Sequence, residues 1–195
     1  MMRKNAKFDR AEAVDNATKL YWEKGFNGTS MRNLQDVIDM RPGSIYATFG
    51  SKEGLFKEAL NRYADMGIEE LFACRKAVDS PLKALQLFMK SAVLDYTNSA
   101  PSRMCMLAKT MGELTEDNAD LLQEAKRLLA KIEAEFVTLL QEAQELGEVD
   151  SNKDVHKLAR HIQVQTMGLR TYAKACDDHT ILENMVDDVF KHHPF

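Results

Sequence analysis

The fold of this chain is decided by residues 28–56, which read GTSMRNLQDVIDMRPGSIYATFGSKEGLF. Thr29 and Ser30 offer the hydroxyl groups that commonly cap helix N-termini. Three apolar residues then recur at helical spacing: Leu34, Val37 and Ile38. This spacing predicts a short helix that has one apolar face and ends near Ile38.

A tight turn and a second short helix follow directly. Asp39 lies where the chain must reverse, and a short polar side chain tolerates the left-handed backbone that such a turn often needs. Pro42 suits the start of the next helix, because the N–H that it lacks would have no helical partner there. Gly50-Ser51 ends that helix, in which Ile45 and Phe49 are predicted to point inward. The residues predicted to be exposed are Arg41, Pro42, Gly43, Ser44, Ala47 and Thr48.

This helix-turn-helix resembles the DNA-binding domain of the TetR/AcrR repressors. The resemblance rests on TSMRNL at 29–34, GSIY at 43–46 and FGSKEGL at 49–55. The stretch 17–26, with the pattern A-x-x-L-Y-x-x-x-G-F, is similar to the first helix of that domain. The match covers about residues 8–58, and it implies a homodimeric cytoplasmic regulator whose partners are double-stranded operator DNA and a small-molecule inducer.

The remaining chain continues the helical pattern. We predict an all-α fold of about nine helices, with an N-terminal three-helix helix-turn-helix domain at 1–57 and a C-terminal helical ligand-binding and dimerisation domain at 58–195. Only 4 Pro and 9 Gly interrupt the 195 residues, so long helices are expected. The helices predicted after the turn span residues 52–75, a segment that begins at 80–81 and ends before 98, and residues 104–114, 118–146, 154–176 and 180–191.

The distribution of charge agrees with a DNA-binding N-terminus. Residues 1–57 carry ten basic and seven acidic side chains, whereas the rest carries 16 basic and 23 acidic ones. A basic cluster precedes the first helix and is expected either to reach phosphates or to form a solvated tail: Arg3, Lys4, Lys7 and Arg10. No apolar run is long enough to span a bilayer and no signal peptide is evident, so we expect a cytoplasmic protein without a membrane partner.

The resemblance carries DNA contacts onto individual residues. Arg32 and Arg41 are expected to reach base edges, and Arg41 could pair with guanine through two hydrogen bonds. The residues expected to position the DNA backbone are Thr29, Ser44, Tyr46, Thr48 and Lys52, and the same surface includes Ser30, Pro42, Gly43 and Ala47. For Tyr46 the alternative is a place in the core.

The last two predicted helices look too apolar to be exposed on a single chain. In the family these helices pair into a four-helix dimer interface, and a second reading head one DNA turn away requires a two-fold partner. The interface candidates are Leu158, Ile162, Leu169, Leu182, Val186 and Val189. The alternative is that these residues close the core of a monomer.

The ligand domain offers weaker site candidates. Phe88, Tyr96, Met111, Gln165 and Tyr172 are candidate pocket residues, although such side chains also fill ordinary cores.

Cys105 is a candidate sensor. It lies near a predicted helix N-terminus, with Arg103 and Lys109 close in sequence, a setting that favours a thiolate. The segment Met104–Leu107 also resembles a TetR branch that includes repressors sensing electrophiles and oxidants. A buried inert thiol is the alternative.

No enzymatic motif stands out. The chain has no paired E-x-x-H, no glycine-rich phosphate loop and no H-E-x-x-H, and its five His residues form no i, i+4 pair. We therefore expect no catalytic residues, no metal site and no cofactor, and His192-His193 is expected to be a solvated tail. The alternative function is a helical ligand-binding or adaptor protein without operator binding.

Overall fold

The computed structural model describes residues 9–94 and 100–191. Within these ranges the chain is all-helical, which confirms the predicted fold class. Its helices are α1 Arg10–Lys24, α2 Met31–Ile38, α3 Pro42–Phe49, α4 Lys52–Ala77, α5 Pro81–Leu94, α6 Met106–Glu113, α7 Ala119–Glu145, α8 Val155–Tyr172 and α9 His179–Lys191, with a 3-10 turn at Glu116–Asn118. Some residues for which the sequence predicts a role lie outside the described ranges: Arg3, Lys4, Lys7, Tyr96, His192 and His193.

Local side-chain chemistry delimits the two short helices as predicted. Ser30 caps α2, since its Oγ accepts a hydrogen bond from the N–H of Asn33 and the Asn33 side chain accepts one from the N–H of Ser30, both at 3.1 Å. Asp39 ends α2 in the left-handed conformation, with a φ of 50°. Arg41 is the extended residue before α3 and Pro42 is the first residue of that helix.

Helices α2 and α3 bury one face each in the core of the N-terminal unit. Leu34, Ile38, Ile45 and Phe49 are buried, whereas Val37 is 38% exposed. The prediction that Val37 shares the buried face is therefore wrong. Leu34 and Ile38 lie one turn apart on the side that faces α1, and Val37 is rotated by about 100° from Ile38 toward solvent.

Helix α4 joins the two parts of the chain without interruption. The predicted boundary between 57 and 58 falls inside this helix, and the buried side chains around it form one cluster with residues from both predicted domains. Tyr21 meets Phe56 edge to face at 4.8 Å, and Trp22 meets Tyr63 in the same manner at 4.9 Å. Both aromatic contacts therefore join α1 to the same side of α4.

A second cluster forms the C-terminal core between α5, α7, α8, α9 and the last turns of α4. It contains all six candidate interface residues, each at most 9% exposed: Leu158, Ile162, Leu169, Leu182, Val186 and Val189. These side chains pack inside their own chain and are not available for the subunit contact that the sequence predicted. The strongly apolar side of α8 and of α9 faces inward, and the outward side is mostly polar. The outward side exposes Val164, Tyr172 and Ile181.

Three helix boundaries lie two or more residues from the predicted ones, and the first is the end of α4, at Ala77 rather than 75. Helix α6 begins at Met106 rather than at 104, because Cys105 is still extended with a ψ of 129°. Helix α8 ends at Tyr172 instead of 176, where the chain passes into turns. Gly147, with a φ of 74°, follows the end of α7.

None of the helices in ranges 9–94 and 100–191 combines the length and the apolar character that a bilayer crossing needs.

We predict that Leu34→Ala destabilises the chain by about 2–5 kcal/mol, because it leaves a cavity where a side chain is fully buried. Val37→Ala, on the same helix, is the matched control and should change the free energy of unfolding by less than about 1 kcal/mol. Urea unfolding followed by circular dichroism measures both. Equal losses for the two variants would contradict this packing of α2.

Candidate nucleic-acid interface and ligand cavity

The surface of the helix-turn-helix is small and polar, with arginines at its edge. The exposed candidates are Arg32, Arg41, Pro42, Gly43, Ser44, Tyr46 and Ala47, whereas Thr48 is half-buried. Tyr46 is 49% exposed and so does not belong to the core. No described residue accepts a hydrogen bond from the guanidinium of Arg32 or Arg41 among the contacts of the structure. A Cβ placed on Gly43 would meet no atom within 4 Å, so close approach of a ligand to α3 is unobstructed.

Three candidates on this surface already have partners within the chain. Thr29 is buried, and its hydroxyl donates to the carbonyl of Gly25 at 2.6 Å instead of facing DNA. Ser30 is exposed, but its hydroxyl already hydrogen-bonds Asn33 in the cap of α2. Lys52 is half-buried. Its Nζ donates to the carbonyl of Phe26 at 2.7 Å and lies 4.2 Å from the centre of the Phe26 ring. Burial lowers the pKa of Lys52.

Arg10 is the one member of the predicted basic cluster that lies in the described part of the chain. Its guanidinium pairs with the carboxylate of Glu58 at 2.6 Å and lies 5.1 Å from the centre of the Phe49 ring. These contacts fix the start of α1 against α3 and α4. Arg10 therefore does not belong to a solvated tail.

A partly open apolar cavity lies between α4, α5, α7 and α8. It has a volume of about 60 Å³, and its walls are Tyr63, Met66, Gly67, Phe88, Ala92, Cys105, Leu129, Ile132, Phe136, Gln163, Thr166, Met167 and Arg170. Pockets that bind small molecules in proteins usually have about 300–1,000 Å³. The space between these helices is therefore smaller than a typical ligand.

The cavity includes two of the six residues proposed from sequence for a ligand or sensor site, Phe88 and Cys105. Met111 is 36% exposed on α6 and does not line it. Gln165 and Tyr172 are also absent from its wall. On α8 the lining residues follow a spacing of three and four, at positions 163, 166, 167 and 170, and residues 165 and 172 lie on the other side of that helix.

The setting of Cys105 differs from the expected one. Arg103 hydrogen-bonds the carbonyl of Ala173 and pairs with Asp177, and Lys109 donates to carbonyls of α1. Neither cation is used to hold a thiolate. Cys105 is 8% exposed and borders the cavity.

Arg170, Trp22 and Tyr63 are functional candidates that the sequence did not reveal. The buried guanidinium of Arg170 donates to the Tyr63 hydroxyl at 2.9 Å and to the carbonyl of Arg103 at 3.0 Å, and it lies 5.6 Å from the Trp22 ring centre. The indole N–H of Trp22 donates to the carbonyl of Met104 at 2.7 Å. These positions are far apart in sequence and no local spacing links them.

Helix α6 contacts the end of α1 through two charged side chains. Lys109 Nζ donates to the carbonyl of Glu23 at 2.7 Å and to that of Trp22 at 3.3 Å. The carboxylate of Glu113 accepts from the N–H of Asn27 at 2.6 Å and from that of Phe26 at 3.1 Å. Burial lowers the pKa of Lys109.

No group of three or more His, Cys, Asp and Glu side chains that could hold a metal ion occurs in the part of the chain that the structure describes.

Two family models match the chain. Residues 13–59 match "Bacterial regulatory proteins, tetR family", and residues 81–189 match "Tetracyclin repressor-like, C-terminal domain". The first match contains the helix-turn-helix and the second contains α5 to α9 up to residue 189, so together they account for most of the described chain.

Individual relatives agree with these matches. The chain is 29% identical to the HTH-type transcriptional repressor ComR of Escherichia coli (strain K12) over 86% of this chain and 80% of that protein. It is 33% identical to the HTH-type transcriptional repressor BdcR of the same strain over 52% and 51% of the two chains. A cysteine mutant of the TetR family transcriptional regulator CifR, solved with 26bp double-strand operator DNA, is 25% identical and has a TM-score of 0.86 over 98% of this chain and 100% of that chain.

Proposed function

Since the chain belongs to the TetR family of bacterial DNA-binding transcriptional regulators, we propose that it is a homodimeric repressor that a small hydrophobic ligand releases from operator DNA. The observation that carries this proposal is an apolar cavity between α4, α5, α7 and α8 in a chain whose helix-turn-helix exposes its reading helix. The family is one of regulators and not of enzymes, in agreement with the expectation from sequence. A regulator acts where the chromosome is, which supports a cytoplasmic location.

In the proposed complex, α3 is the helix that reads the DNA. Its outward residues are small enough to let the helix backbone enter a major groove, and Arg41 stands at its N-terminus. The solved relative CifR is bound to operator DNA, and ComR is named a repressor. These relatives favour operator binding over the alternative of an adaptor protein.

The proposed dimer uses the outer sides of α8 and α9. Val164 is 61% exposed and Ile181 is 47% exposed, and Tyr172 adds a half-exposed ring at the end of α8. Apolar side chains of this size are more often covered than left in water when they share a surface. Two helices from each subunit would then form a four-helix contact.

The proposed release follows from the small size of the cavity. A cavity that holds a benzene ring has about 150 Å³, more than twice the space available here. A ligand of that size must therefore push the surrounding helices apart. It binds the expanded arrangement better than the closed one, and the population shifts in proportion to that difference in affinity.

A second signal is proposed for the same cavity because Cys105 borders it. The Cys105 thiol would add to an electron-poor carbon–carbon double bond, so that a sulfur–carbon bond forms and the thiol proton ends on the neighbouring carbon. The adduct would occupy the cavity as a bound ligand does.

We predict that Arg41→Ala weakens operator binding by about 1–3 kcal/mol and relaxes sequence preference, because a bidentate contact with a base is lost. Lys83→Ala, on the exposed side of α5, is the control that removes a positive charge elsewhere. Fluorescence anisotropy on a site selected from random DNA, at a stated salt concentration, measures both. An Arg41→Ala variant with unchanged affinity and preference would overturn this docking.

Val164→Glu should weaken the dimer by about tenfold or more, because it places an unpaired charge in an apolar contact. Thr138→Glu, on the exposed side of α7, is the matched control. Light scattering gives the mass and circular dichroism confirms the fold. A Val164→Glu protein that is folded and fully dimeric would rule out this interface, whereas Leu169→Glu would unfold the C-terminal core and could not test it.

We expect N-ethylmaleimide to weaken operator binding of the wild type by about tenfold or more, since the adduct exceeds the cavity volume. Cys105→Ser should bind the operator normally and resist this release, whereas Cys74→Ser and Cys176→Ser should behave as the wild type. Mass spectrometry assigns the modified thiol and anisotropy measures binding. Equal release of Cys105→Ser would leave Cys105 without a sensing role.

A further inference from the structure

Helix α6 connects the cavity to the helix-turn-helix. Cys105, the residue before its first turn, borders the cavity, and Glu113, its last residue, contacts the backbone at Phe26 and Asn27. At 1.5 Å per residue the helix is about 12 Å long. A shift of either end is therefore passed to the other by a rigid element.

The contact at the far end of α6 is matched to the end of α1. Lys109 and Glu113 lie four residues apart and so project from the same face of α6. Lys109 binds carbonyls in the last turn of α1, where the helix dipole is negative, at 2.7 Å and 3.3 Å. Glu113 binds the next two free amides, beyond the end of α1. A cation on the carbonyls and an anion on the amides together fix the position of α1.

The backbone at Gly25 lets the carboxylate of Glu113 approach closely. Gly25 has a φ of 77°, and a Cβ placed there would lie 2.3 Å from Oε2 of Glu113. A larger residue would therefore displace the carboxylate as well as strain the backbone. Phe26 is held from the other side, where its carbonyl accepts from Lys52. The segment that Glu113 and Lys52 hold leads directly into α2.

We infer that Lys109 and Glu113 are positioning residues that couple the filling of the cavity to the orientation of the helix-turn-helix. When the cavity expands, α6 moves and pulls the end of α1, and the reading helix leaves its DNA-competent position. This inference rests on the proposed function and adds the route by which the signal travels. Neither residue lines the cavity or belongs to the predicted DNA-reading surface.

The test fills the cavity by mutation, so that no unidentified ligand is needed. Gly67 lines the cavity, and a Cβ placed there meets no atom within 4 Å. Gly67→Phe should weaken operator binding about tenfold, because the ring needs more space than the cavity has. Adding Lys109→Met and Glu113→Gln should bring the affinity back to within about threefold of the wild type, since α6 no longer pulls α1.

Matched controls separate coupling from loss of charge. Lys76→Met with Glu145→Gln removes the same charges from exposed positions and should leave the effect of Gly67→Phe unchanged. In the Gly67→Phe background, Lys109→Arg as the single added change keeps the cation, so operator binding should remain weak. Trp22 is the single tryptophan, so its emission reports the junction directly, and circular dichroism verifies the fold. Gly67→Leu serves as a smaller filler if the phenylalanine variant unfolds.

The outcomes separate the two proposals. If the wild type selects no operator from random DNA, the proposed function fails. If it binds an operator but the folded filled variants bind equally well, or stay weak after Lys109→Met and Glu113→Gln, the inferred coupling fails and the regulator remains.

Discussion

The packing of α1 against α4 is the constraint on which the rest of the structure depends. Neighbouring residues of α1 serve the two halves of the molecule: Tyr21 packs on Phe56 beneath the helix-turn-helix, and Trp22 packs on Tyr63 at the wall of the cavity. Interiors packed at this density respond to strain by moving as units. The helix-turn-helix and the cavity therefore both adjoin the packed contact between α1 and α4.

The second determinant is the small apolar cavity. Its volume is about 60 Å³, and α6, which begins beside it, lies against the end of α1. A two-state regulator needs two arrangements that differ by only a few kcal/mol, and the flexible side chains of Met66 and Met167 in the cavity lining can adapt to either.

Local features of the sequence were sufficient for the reading unit. The Ser30 cap, the left-handed Asp39 and Pro42 at the start of α3 each act within a few residues, so both short helices and their turn could be predicted. Which side chains face solvent was harder to predict from the sequence. Val37 fits the apolar spacing but faces solvent, and Thr29 and Lys52 fit a family pattern of DNA contacts but bond to Gly25 and Phe26. Their partners lie on other elements, which periodicity does not describe.

By itself the sequence determined the all-helical fold, the helix-turn-helix and the family, because caps, turns and helical periodicity are encoded by neighbouring residues. Only the tertiary structure decided which apolar side of α8 and α9 is buried, as with Leu169 inside and Val164 outside. It also decided which residues line the cavity and brought Glu113 to Asn27 across 86 positions. These choices depend on how whole helices pack, and the free energy of that packing is not contained in any local stretch.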